Sequence, residues 1–179
     1  MPTLIQPKRE LLREAEIGDW LARPEVGYLA ADARQQWQAM SKRISARLDD
    51  EDWALAAAGE THRRQVVAAL KAAGVQLLIG TDTPNPFVVP GFSVHDELAL
   101  AVEAGLSPAE ALAASTREAA RFLAAANWGT IERGKSADLL LLDDDPFASI
   151  ANTQRIHGVM VRGVWLDRAA RERMLGRLK

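Results

Sequence analysis

The stretch Val75-Gln76-Leu77-Leu78-Ile79-Gly80-Thr81-Asp82-Thr83-Pro84 decides the fold class. Five residues dominated by Val, Leu and Ile read as a short buried strand. It ends at a carboxylate, Asp82, and a loop with three prolines follows, from Thr83 to Gly91. Upstream, Val66, Val67, Leu70 and Ala73 recur at helical spacing, with Asp52 as the expected cap and Gly74 as the stop. Helix, short turn and strand in that order favour a parallel α/β sheet. In such folds the loops at the C-terminal strand ends carry the chemistry, as they do in (β/α) barrels. Asp82 is therefore the first candidate catalytic residue.

Around this stretch the chain divides by texture. Met1 to Ile5 reads as the end of a strand, Arg9 to Ala22 as weakly helical, and Arg23 to Tyr28 as a loop. Trp37, Met40 and Ile44 form one stripe of a helix over 31–48. Ser93-Val94-His95-Asp96 resembles a capping box opening a helix to Ala104. Ser107-Pro108-Ala109-Glu110 has the same form, with Pro at the first helical position. Ser115 or Thr116 is expected to cap a further helix to Ala126. Beyond Trp128 the pattern becomes β-like. A strand is expected over 137–142, and strands at 156–161 and 164–166 are joined through Arg162-Gly163. Residues 169–179 read as a short exposed helix. The division expected is 1–127, 128–168 and a 169–179 tail.

Composition excludes several classes. The 179 residues carry a net charge of -2 and show no basic stripe, which argues against nucleic acid as a partner. Without cysteine there is neither a disulfide framework nor a thiolate metal site. No apolar run is long enough for a membrane span and no secretory signal is visible, so no membrane partner and a cytoplasmic location are expected.

One motif is a decoy. Gly129-Thr130-Ile131-Glu132-Arg133-Gly134-Lys135-Ser136 satisfies the phosphate-loop pattern G-x-x-x-x-G-K-S. A phosphate loop must follow a strand and open a helix, whose first amides hold the anion. Here a helix precedes and a strand follows, so a plain turn is expected.

The ordered series Pro2-Thr3-Leu4, Gly80-Thr81-Asp82, His95-Asp96-Glu97-Leu98, Glu103 to Leu112, Ser115 to Ala120, Gly129 to Leu139 and Val159 to Gly163 resembles the C-terminal portion of the metal-dependent amidohydrolase superfamily. The likeness is to its imidazolonepropionase-like and Xaa-Pro dipeptidase-like branch. It implies an α/β fold: the C-terminal part of a (β/α)8 TIM-like barrel, followed by part of a small β-sandwich domain. Pro2-Thr3-Leu4 is similar to the end of the seventh strand and Gly80-Thr81-Asp82 to the end of the eighth.

The resemblance implies hydrolysis of C–N bonds in a small amide, cyclic amide or dipeptide. It also implies a divalent metal, zinc foremost, in an intact enzyme. Asp82 would be both a metal ligand and the proton acceptor. The ligands implied besides it, an early His-x-His, a Lys or Glu and two later histidines, have no match here. The three histidines, His62, His95 and His157, form no such cluster. His62 is expected on a solvated helix and His157 in a structural setting. His95 and Asn85 are candidate substrate contacts, because both lie close after the strand end. The chain alone is expected to hold no metal stably and to be inactive, lacking an N-terminal segment or a partner chain. The alternative is a non-catalytic structural or interaction module that folds with a partner chain.

Overall fold

A computed structural model of the chain describes residues 2–178. Its elements run in the order α1 (Ile5–Glu10), α2 (Glu14–Leu21), α3 (Ala31–Ser45), α4 (Asp50–Ala72), α5 (Ser93–Glu103), α6 (Pro108–Ser115), α7 (Arg117–Phe122), β1 (Leu139–Leu142), β2 (Ile156–Val161), β3 (Val164–Leu166) and α8 (Arg168–Gly176). The fold is mixed helix and sheet. Among the described residues no helix is long and apolar enough to cross a membrane.

Several expectations are met for their stated reasons. In the box opening α6, Ser107 Oγ accepts from Glu110 N–H at 3.2 Å, and the Glu110 carboxylate accepts from Ser107 N–H at 2.6 Å. Past α4, Gly74 adopts φ 71°, and Val75 N–H bonds Leu70 C=O while Gly74 N–H bonds Lys71 C=O. That Schellman arrangement satisfies carbonyls the helix end leaves open. The sheet is antiparallel, in the order β1-β2-β3. Arg162 and Gly163 both have positive φ, 48° and 82°, as a two-residue type I′ turn needs. Asp138 holds this turn by accepting from Arg162 N–H at 2.7 Å.

Other expectations are corrected. Pro2 to Leu4 form no strand; Leu4 has helical angles and precedes α1. Met1 lies outside the described residues. The cap of α4 is Asp49, with Asp52 at the third helical position closing the box. Ser93 caps nothing. Its hydroxyl is buried and accepts from Val89 N–H at 2.8 Å. The helix expected to reach Ala126 stops at Phe122, and Ala124 turns to φ 53°.

The largest correction concerns Val75 to Ile79. The segment pairs with no strand among the described residues, and Val75 is half exposed. An apolar run becomes part of a sheet only where a neighbouring strand takes its backbone hydrogen bonds. The run instead reaches two later helices: Ile79 N–H bonds Ala114 C=O of α6 at 3.4 Å, and the Gln76 side chain donates to Glu118 of α7 at 2.8 Å. The expected parallel sheet is therefore not formed by the described residues.

Two apolar clusters hold the helices. One gathers Leu4, Ile5, Val67, Val88, Leu98, Ala101 and Ile150 around α5. The other gathers Leu12, Ile17, Val26, Trp37, Phe87 and Val89. The loop after Asp82 links them, because Phe87, Val88 and Val89 are all buried. By contrast Leu140, Leu141 and Trp165 on the sheet are about half exposed.

Candidate functional site

Asp82 stands at the end of the extended segment, exposed, with φ 56°. Asp tolerates this left-handed region better than most residues. Asn85 explains how the turn is held. Its Nδ2 donates to Asp82 C=O at 2.7 Å and to Asp82 Oδ2 at 3.0 Å. Asn85 thus orients the carboxylate directly, and the clasp leaves Oδ1 with no hydrogen bond or ion pair among the described residues. Downstream, Thr83 Oγ1 donates to Val88 C=O at 2.8 Å, so the loop's first half is tied to its buried second half.

The first turn of α5 anchors two distant parts of the chain, the α1 region and the segment before β2. His95 Nδ1 lies 2.9 Å from Thr153 Oγ1, in the segment before β2. Asp96 pairs with Arg9 of α1, whose guanidinium also lies 3.5 Å from the centre of the Trp20 ring. Glu97 is completely buried and accepts from Leu4 N–H at 2.9 Å and Ile5 N–H at 2.6 Å. Burial pushes the Glu97 carboxyl up to about 7, against the two amide donors, which favour the charged form. Burial also moves the His95 imidazole below its ordinary range, opposed by the neighbouring Asp96 charge.

His95 and Asp96 line a cavity of about 820 Å³ between the start of α5 and the face of α8. Asp82 and Asn85 do not line it. Of the other histidines, His62 is exposed on α4. His157 is an exposed strand residue whose Nδ1 lies 2.8 Å from Asp143 Oδ1, an interaction that lowers the Asp143 carboxyl. Sequence reasoning missed Thr153, Arg171 and Glu97 as contributors. No local pattern marks them, because their partners lie 58, 15 and 92–93 positions away.

The described residues form a mixed helix-and-sheet fold with Asp82 at the end of an extended segment, and the comparisons place that fold in a family. The amidohydrolase family profile matches residues 33–166, and the chain belongs to that family. It is 40% identical over 94 residues to the imidazolonepropionase of Deinococcus deserti, covering 52% of this chain and 23% of that one. Against the Maricaulis maris imidazolonepropionase it is 37% identical over 108 residues, covering 58% and 27%. The bottromycin amidohydrolase structure superposes with a TM-score of 0.71 at 31% identity, over 99% of this chain and 38% of that one. A Xaa-Pro dipeptidase structure with methionine in its active site gives a TM-score of 0.56 at 26% identity, over 63% and 27%. The chain spans about a quarter of the length of the curated relatives it matches.

A divalent metal is usual in this family, and the residues present do not by themselves fit one. Among the described residues no group of three His, Cys, Asp or Glu side chains could hold an ion. A catalytic metal needs about three protein ligands and an open position. Asp82 offers one carboxylate, with one oxygen already held by Asn85.

Proposed function

We propose that this chain is the C-terminal part of an amidohydrolase that cleaves C–N bonds in small amides, cyclic amides or dipeptides. In this reading its first 127 residues belong to a (β/α)8 barrel and residues 128–168 to a composite β-sandwich. The observation that carries it is Asp82, placed at the end of the extended run Val75 to Ile79 in a chain of this family. Asn85 serves Asp82 by fixing its carboxylate, and His95 is a ligand contact nearby in sequence.

The rest of the barrel, supplied in cis or by a partner chain, would pair with Val75 to Ile79 and bring the remaining metal ligands. The half-exposed Leu140, Leu141 and Trp165 support a covering polypeptide, since apolar strands on this scale are normally packed on. The same exposure suits the second reading, a non-catalytic module completed by a partner.

The test is a chimera in which this chain replaces the matching segment of the bottromycin amidohydrolase. Turnover retained by the chimera and abolished by Asp82→Asn is the expected result, because the amide keeps the size but accepts no proton. Unchanged turnover in Asp82→Asn would overturn the assignment. Robust metal-dependent turnover by the isolated chain would overturn the need for further ligands.

A further inference from the structure

The cavity beside α5 combines three features that a small ligand can satisfy together. The first is a hydrogen-bond acceptor of fixed position. Thr153 Oγ1 lies 2.8 Å from Ile150 C=O, which only accepts, so the Thr153 hydroxyl proton is spent there. Its oxygen must then accept from His95 Nδ1 at 2.9 Å. A neutral His95 that donates through Nδ1 carries its lone pair on Nε2. Thr153 is buried, which protects this choice of tautomer from water.

The second feature is an under-supplied cation. Among the arginines that line the cavity, Arg23, Arg155 and Arg168 lie 2.8, 2.7 and 3.2 Å from the carboxylates of Glu25, Asp144 and Asp143. No carboxylate of the described residues lies within ion-pair distance of Arg171. Its guanidinium donates to the Ile156 and His157 carbonyls at 2.7 and 3.4 Å, and its buried Nε proton has no acceptor among the described residues. The third feature is apolar wall, given by Pro90, Phe92, Ile156 and Leu175. Phe92 is itself fixed by stacking on Tyr28, with ring centres 5.6 Å apart.

The geometry points to a binding site here for a small carboxylic acid that carries an apolar side chain and an N–H or O–H donor. The donor goes to His95 Nε2, the carboxylate to Arg171, and the side chain to the Phe92 wall. The volume of about 820 Å³ lies within the range of small-molecule sites. This inference rests on the reading of His95 as a ligand contact and is independent of the role given to Asp82.

The test is calorimetric titration of the full chain with three probes. N-acetyl-L-phenylalanine has all three features, N-acetyl-L-phenylalaninamide lacks the carboxylate, and 3-phenylpropanoate lacks the donor. Saturable binding of the first, about tenfold tighter than either of the others, is expected. Arg171→Gln should erase the preference for acid over amide, and His95→Phe the preference over 3-phenylpropanoate. Equal affinities for the three probes, or no saturable binding of the first, would overturn the proposal. Nitrogen-15 spectra of the imidazoles give a second measurement, which needs no ligand: a proton on His95 Nε2 in place of Nδ1 would overturn it. Because the chimera reads Asp82 through turnover, failure here and failure there are separable.

Discussion

Glu97→Gln isolates the energetics of a buried carboxylate that holds the chain's first described turn. The wild-type carboxyl titrates at about 7 in the folded state, against 4.5 as its ordinary value. The folded protein therefore binds this proton more tightly than the unfolded chain. The stability it contributes is fully present below about pH 4.5 and is lost as the pH rises through about 7. Glutamine has the same shape and does not titrate. The wild type should thus lose about 2.5 kcal/mol relative to Glu97→Gln between pH 5 and pH 8. The variant also leaves either Leu4 N–H or Ile5 N–H without its acceptor, a cost of about 1–3 kcal/mol that does not change with pH. Urea unfolding of both proteins at each pH reads the difference, and titrations common to the two cancel. A stability gap that stays flat with pH, or that moves in favour of the wild type as the pH rises, would refute this account of burial outweighing the two amide donors.

Three further outcomes are expected. Ser107→Ala removes the side-chain acceptor of the α6 box and should cost about 1 kcal/mol in thermal or urea unfolding. At Gly129, φ is 94° and an added Cβ would lie 2.4 Å from Ala120 Cβ. Gly129→Ala should therefore lower the unfolding midpoint well beyond a surface substitution, by a few kcal/mol if the turn cannot shift. The turn over 129–136 leads into β1 and not into a helix, and Lys135 Nζ is occupied by Thr130 and Glu132. Titration with ATP and magnesium should show no micromolar binding, and Lys135→Ala should change nothing in that titration.

The sequence by itself determined the elements whose causes are local. The α6 box depends on Ser107 and Glu110, three residues apart. The end of α4 depends on one glycine, and the β2–β3 turn on the pair Arg162-Gly163. Such features need no knowledge of the rest of the chain, and the membership of the family was likewise legible in an ordered series of short motifs. The tertiary structure decided what depends on distant partners. Val75 to Ile79 has the composition of a buried strand, but no described segment lies beside it to complete a ladder. Ser93 has the spacing of a cap, yet it turns inward because Val89 N–H needs an acceptor. Asp82 was legible as a carboxylate closing an apolar run, whereas its clasp by Asn85 appeared only with the turn geometry. His95, Asp96 and Glu97 are consecutive in the chain, but each is defined by a different contact: Thr153, Arg9, and the amides of Leu4 and Ile5. Residue type and spacing set what each side chain can do. Which proton it holds and which partner it meets are set by burial and by contacts that close loops of 58 to 93 residues.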